Sequence, residues 1–406
     1  MIPVAEAQAR VLQGILRLET ESVALESWHG RVLAEPLAAR VTHPPADVSA
    51  MDGYAVRQSK LQRFRVIGES AAGAGFHSPC GEGEAVRIFT GAPVPPAADS
   101  IILQENVTRE GNEILLNAGV ACVPGKHIRR AGHDFRAGEV LLPSGTRLTA
   151  REVALAAAMN HAVLPCVRRP RIAILATGDE LVSPGQVPGA DQIVSSSPAG
   201  LGAEIAAWGG MAVQLGIAAD RPEDIRGRLE RAEAPDLFVT IGGASVGDRD
   251  LVQAALAPEL KVDFWKIAMR PGKPLISGTY RGVPLLGLPG NPVSAFVCAL
   301  LFIKPVIHRF TGATDDPLRL VVAELGADMG PNDQRQDYCR ARVDMFEDGR
   351  LRATPLPVQD SGMLRFLAAS QGLIVRPPQD PARARGEPVN LLPLGDPVFA
   401  PKSATK

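Results

Sequence analysis

The chain has 406 residues, 43 Lys+Arg against 44 Asp+Glu, a formal net charge of -1, and 46% apolar residues. That balance argues against a general nucleic-acid binder, and the apolar fraction, with 35 prolines and 40 glycines, speaks for several compact domains rich in turns, not for disorder. Five scattered cysteines without a Cys-x-x-Cys pair speak against a disulfide framework or zinc site and fit a reducing cytoplasm. No basic-then-apolar leader is visible, and the most apolar run, Val293 to Ile303, stops at Lys304, too short for a bilayer, so no membrane is expected.

Val4, Ala7, Val11, Ile15 and Leu18 recur at helical spacing, which predicts an amphipathic helix over 4–18. Gly30 to Leu37 reads as extended. From Val41 the texture turns rich in Gly and Pro, with short strand-like runs at 64–68, 85–89, 100–103 and 113–116, so 41–134 is expected to be a small β module. Three of its loops are polar: 49–54 with Asp52, 89–96 led by Thr90, and the basic stretch 125–134 that ends at Asp134. Residues 135–168 return to helical texture. Thr149 and Glu152 stand at capping-box spacing, and this helix is expected to pack back on the first one. The β module would then be an insertion into a domain built from 1–40 and 135–168.

From Arg171 strand and helix alternate, as in a doubly wound, mostly parallel α/β sheet over 169–313. Strands are read at 171–176, 211–218, 236–241 and 262–268, then as a hairpin at 275–280 and 283–287, with helices from Ser197, Pro222, Leu251 and Pro292. Asn291 can cap the last of these, with Pro292 in its first turn. Short strands return after Thr314, so 314–406 is expected to be a C-terminal β domain. The fold class is therefore α/β multidomain.

The stretch 236–250 is the most informative. A continuous apolar strand runs into Gly-Gly-Ala-Ser-Val-Gly-Asp-Arg-Asp and then a helix. Gly242, Gly243 and Gly247 can turn backbone amides toward an anion, and Asp248 and Asp250 suit a hard cation beside it. Ligands of open α/β sheets bind at the carboxyl ends of the strands. There the sequence delivers Thr177, Gly178, Asp179 and Glu180, then Asp220, then Ser245, Asp248 and Asp250. Lys266, Arg270 and Lys273 follow, and the loop Pro289, Gly290, Asn291, Pro292 completes the rim. Acids for a divalent cation and bases for an oxyanion would meet there. No Gly-x-Gly-x-x-Gly follows a strand and no P-loop is present, which weakens dinucleotide and P-loop readings.

These residues resemble the MoeA-type molybdopterin molybdenumtransferases, the family of the gephyrin C-terminal domain. The likeness rests on Ser-Ala-Met-Asp-Gly-Tyr-Ala-Val at 49–56, Phe-Thr-Gly-Ala-Pro-Val-Pro at 89–95, and Arg-Arg-Ala-Gly-His-Asp at 129–134. It continues through Ala-Thr-Gly-Asp-Glu-Leu at 176–181, the glycine loop at 242–250, Arg-Pro-Gly-Lys-Pro at 270–274 and Leu-Pro-Gly-Asn-Pro-Val-Ser at 288–294.

The resemblance implies an elongated four-domain homodimer, each active site lying between one subunit's sheet domain and its partner's β module. It implies adenylylated molybdopterin and molybdate as substrates, Mg²⁺ as the metal, AMP as leaving group, and the adenylyltransferase of the same pathway as a partner. By motif it carries function to Asp52, Thr90, Asp134, Lys266, Arg270 and Lys273 as catalytic groups. Glu180, Asp220 and Asp250 would hold the metal. Thr177, Gly178, Gly242, Gly243, Ser245, Asp248, Pro289, Gly290, Asn291, Pro292, Arg340 and Ser361 would bind the pterin, with Gly242, Gly243 and Ser245 as hydrogen-bond donors. Two positions depart from the common pattern: Ser197 stands where relatives carry Asn, and Arg270 where some carry Lys, which changes the geometry toward bidentate oxyanion binding. Competing readings are a molybdopterin adenylyltransferase and a non-catalytic pterin-binding scaffold.

Overall fold

The computed structural model describes residues 1–243 and 251–395. Its centre is a six-stranded sheet. The strands are β1 (Arg171–Thr177), β2 (Met211–Ala218), β3 (Leu237–Ile241), β4 (Leu260–Lys266), β5 (Pro274–Tyr280) and β6 (Val283–Leu288). Their spatial order is β2-β1-β3-β6-β5-β4. β2, β1, β3 and β6 run parallel, β5 is antiparallel to β6, and β4 is antiparallel to β5. β4 therefore points the same way as β6, and Lys266, at its end, reaches the rim where the parallel strands finish.

All five residues of β3 are buried, as a strand covered on both faces requires. The period-2 alternation of side chains sorts β1 and β3 between two cores. Ile172, Ile174, Leu237, Val239 and Ile241 pack under the helices Ser197–Ala207 and Pro292–Thr311. Ala173, Leu175 and Phe238 pack on the other face, with Ile225 and Leu229 of the helix Pro222–Glu230 and Val252 and Leu256 of the helix Leu251–Leu256.

The helix beginning at Pro292 runs to Thr311, past the Lys304 at which the apolar run stops in sequence. A π-turn at Ala299–Ile303 lets the helix continue through Pro305. Pro305 has no N–H to offer the carbonyl of Leu301, four residues back. That carbonyl accepts Gln8 Nε2 at 3.1 Å instead. By length and hydropathy this helix could cross a bilayer, but 78% of its apolar window is buried in the protein core.

Gln8 belongs to the opening helix, Val4–Leu12, which ends early because Gly14 takes φ +79°. Its Val4, Ala7 and Val11, with Ile15 beyond it, join the core of the α/β unit. The expectation that it packs on the helix Ala150–Ala158 is thus overturned. Ala156 and Met159 of that region pack with Val23, Trp28, Leu33 and Leu164. Four residues of amphipathic stripe specify a buried face but not its partner.

The flanks of the β module do meet. Thr20–Ala24 pairs antiparallel with Val163–Val167, and Leu37–Ala38 with Val140–Leu142. Gly30 to Leu37, expected to be extended, forms isolated bridges, Val32 to Arg147 and Leu33 to Cys166, before Leu37 opens its strand. The Thr149–Glu152 capping box forms as read. Between the flanks, the six-stranded β module has its own buried residues, among them Tyr54, Phe64 and Ile114. At the other end of the chain, Gln336–Met345 pairs with both Leu351–Pro355 and Gly372–Arg376, which closes the C-terminal sheet on itself. Met269–Arg270 adds to this barrel as a short parallel strand on Gln336–Asp337.

Candidate active site

The loops at the carboxyl ends of β1, β2, β3 and β6 enclose a cleft of about 720 Å³. Thr177, Gly178 and Glu180 come from the end of β1, Asp220 from beyond β2, and Gly242 and Gly243 from the end of β3. Pro289, Gly290, Asn291 and Pro292 come from beyond β6. Ser245, Asp248 and Asp250 lie outside the described residues.

The floor must be small. Gly242 and Gly243 take φ +95° and +65°. A Cβ on Gly242 would lie 2.6 Å from the Thr177 carbonyl oxygen, and one on Gly243 2.8 Å from Val252 Cγ2. The amide of Gly242, expected to face a ligand, donates to the carbonyl of Leu288 at 3.1 Å. That glycine therefore supplies room, not a donor. Beside it, the buried Thr177 Oγ1 has no hydrogen-bond partner among the described residues. An orphaned hydroxyl in a cleft wall is a group kept for a ligand.

Three carboxylates gather on one side. Asp179 Oδ1 accepts the backbone N–H of Asp220 at 3.0 Å. Burial raises the Asp220 carboxyl above the ordinary range, and the negative charges of Asp179 and Glu180 raise it further. No cluster of three or more His, Cys, Asp or Glu side chains closes around a metal position among the described residues. Glu180 and Asp220 nevertheless suit a hard divalent cation, because such an ion would relieve the like-charge repulsion now borne by Asp220.

The cations stand apart from this cluster. Lys266 pairs in register with Pro274, a cleft residue, so Lys266 and Lys273 stand at the cleft's edge. Lys266 Nζ lies 5.5 Å from the Trp265 ring centroid. Arg270 turns away from the cleft. Its guanidinium bonds Asp337, Asn332 Oδ1 at 3.3 Å and Asp333 Oδ2 at 3.5 Å, tying the α/β unit to the barrel.

The barrel also reaches the cleft. Arg340 is 1% exposed, and its guanidinium holds the carbonyls of Val358 at 3.3 Å and Met363 at 3.4 Å. Gln359 bonds both the N–H and the C=O of Arg340, each at 3.0 Å. The loop so clasped carries Ser361, whose Oγ accepts Asn291 Nδ2 at 3.1 Å and whose carbonyl accepts Val293 N at 3.1 Å. Asn291 sits at the N-cap position, but its side chain is spent on Ser361 and not on the helix. Gly362 and Leu364 of the same segment line the cleft, as do Ser195 and Ser196. None of these four was singled out from sequence. The run of serines at 195–197 was the available signal, whereas Gly362 and Leu364 carried none.

The β module's three polar loops form one cluster. Ser49 N donates to the Ala92 carbonyl, Gly91 N to the Ser49 carbonyl, and Ala50 N to the His127 carbonyl. Asp52 Oδ1 accepts both Thr90 N at 2.7 Å and Thr90 Oγ1 at 2.9 Å, and these bonds hold its carboxyl below the ordinary range. Asp134 is exposed, its N–H on the His43 carbonyl. No residue of 41–134 lines the cleft of the same chain.

Comparison with known proteins agrees over the full length. The family described as MoeA N-terminal region (domain I and II) matches residues 2–160, the probable molybdopterin binding domain 173–309, and the MoeA C-terminal region (domain IV) 322–394. The chain is 31% identical over 402 residues to the molybdopterin molybdenumtransferase of Haemophilus influenzae, covering 97% of this chain and 99% of that one. It is 33% identical over 391 residues to that of Bacillus subtilis, covering 93% and 90%. The crystal structure of the molybdopterin biosynthesis moeA protein from Pyrococcus horikoshii superposes with a TM-score of 0.82 at 28% identity, covering 97% of this chain and all of that one. The chain thus belongs to the MoeA-type molybdopterin molybdenumtransferases, transferases of molybdenum cofactor biosynthesis.

Proposed function

We propose that the chain inserts molybdenum from molybdate into the dithiolene of adenylylated molybdopterin, with hydrolysis of the phosphoanhydride and release of AMP. The observation that carries this reading is the cleft itself, where a ring of small residues and a Thr177 hydroxyl without a partner among the described residues adjoin a crowded set of carboxylates. Room beside Gly242 and Gly243 suits a flat pterin or a phosphate, and Thr177 Oγ1 can bond it. Glu180 and Asp220, joined by Asp250, would hold Mg²⁺. Bound there, Mg²⁺ would neutralise the phosphate oxygens and favour departure of AMP. Lys266 and Lys273 at the edge would hold molybdate or phosphate oxygens. Arg340 and Gln359 would act by fixing the loop that carries Ser361.

Asp52, Thr90 and Asp134 enter this reading from a second subunit, because no residue of their module lines the cleft of its own chain. The protein would then work as a homodimer in the cytoplasm, receiving its substrate from the adenylyltransferase of the same pathway. The four-part division at 41, 135, 169 and 314 belongs to the same proposal, with the first helix reassigned to the α/β unit.

The test is direct. Purified protein given adenylylated molybdopterin, molybdate and Mg²⁺ should release AMP and yield molybdenum cofactor. Absence of AMP, together with turnover of ATP and molybdopterin, would make it an adenylyltransferase. Tight pterin binding with neither reaction would make it a scaffold.

A further inference from the structure

A second cavity, of about 320 Å³, lies where the helices Ser197–Ala207 and Pro292–Thr311 meet Arg147 and the end of the last barrel strand. It shares no lining residue with the cleft described above. One wall is apolar, made by Trp208, Phe296, Leu300 and Leu394. Five charged or titratable groups face in: Arg147, Glu204, Lys304, His308 and Asp315. Three of them answer one another, since Asp315 takes His308 Nε2 at 3.1 Å and Arg147 Nε at 3.8 Å.

Glu204 and Lys304 are left over. Both are half-buried, and neither side chain makes a hydrogen bond or ion pair with any described residue. Burial raises the Glu204 carboxyl and lowers the Lys304 ammonium, so the surroundings of each oppose its charged form. Each feels the other's charge, yet they do not touch. A carboxylate ligand alone would satisfy Lys304 and face Glu204 unpaired. An amine alone would do the reverse. A molecule carrying both ends would satisfy both, and its apolar body would cover the aromatic wall.

We propose that this cavity is a second ligand site, for a small zwitterion with an apolar body, of the α-amino-acid class. The ligand's carboxylate lies on Lys304, its ammonium on Glu204, and its side chain against Trp208 and Phe296.

The experiment uses the full chain and calorimetry with L-phenylalanine and L-leucine as probes. Phenylacetate and phenethylamine serve as controls that each lack one end. Binding of at least one amino acid at millimolar concentration or below is expected, with both one-ended controls at least about tenfold weaker. Lys304→Met and Glu204→Gln should each weaken amino-acid binding by about tenfold or more, with circular dichroism establishing that the variant is folded. If one variant fails to fold, the other decides. The proposal is overturned if neither amino acid binds, if phenylacetate binds as tightly as phenylalanine, or if a folded variant binds unchanged.

Discussion

Two clusters of charge stand close together in the chain's central and C-terminal units, and they are built on opposite plans. Beside the cleft, Asp179, Glu180 and Asp220 crowd together with no cation among the described residues that line it, and burial together with these neighbouring charges pushes the Asp220 carboxyl up. Next door, Arg270 meets Asp333, Asp337 and Asn332, while Arg335 closes on Asp333, whose carboxyl is held down to about 2. The second cluster is balanced and needs nothing further. The first is balanced only when something positive arrives. Charges that answer one another hold a fold together, and charges left over mark where a ligand is expected.

That contrast can be broken at either end. The largest effect is expected from Asp220→Asn, which should cut Mg²⁺-dependent AMP release by about 100-fold or more, roughly 3 kcal/mol in barrier. Its melting temperature should not fall, because the substitution removes a repulsion; a marked loss of stability would place Asp220 among the structural charges. Arg270→Gln should do the opposite. It strands Asp337, which is 7% exposed, and should cost about 2 kcal/mol in urea unfolding. Unchanged stability would show that the tie between sheet and barrel is ornamental. Ser361→Ala deprives Asn291 of its partner and should cost about 1 kcal/mol, with a raised KM for adenylylated molybdopterin if the clasped loop shapes the pterin site.

Acidification sharpens the comparison without mutation. Asp220 has a raised carboxyl, so protonation favours its folded state and competes with Mg²⁺. Asp333 has a lowered one, so its stabilising contribution is present above the unfolded value, about pH 4, and is lost as pH falls toward 2. As pH drops, the Mg²⁺-induced rise in Tm should shrink first, and the Tm of the metal-free protein should decline only below about pH 4. Simultaneous loss of both would contradict the assignment.

Much of this is legible in the sequence alone. The unbroken apolar run at Leu237–Ile241 and the alternation of strand and helix around it predicted a sheet covered on both sides. The motifs at its carboxyl ends predicted the cleft. What local sequence does not encode is pairing at a distance. Arg270 looked available because Asp333 and Asp337 are more than sixty residues away in the chain. Asn291 fitted a helix cap, yet Ser361 from the barrel claims its side chain. Gly242 offered an amide, but the carbonyl of the neighbouring strand takes it. In each case the residue type was right for the place, and a tertiary contact chose what it does there.

The bond from Gln8 to the Leu301 carbonyl has a consequence for how the protein is made. The opening helix is synthesised well before the helix ending at Thr311, and the surface that covers Val4, Ala7 and Val11 is completed only when that later helix has been made. While the residues between the two helices are synthesised, that apolar stripe must wait exposed or be shielded by a chaperone. A fragment that starts at the sheet's first strand would lack this cover, so the smallest independently stable version of the α/β unit has to include the helix Val4–Leu12 and Ile15.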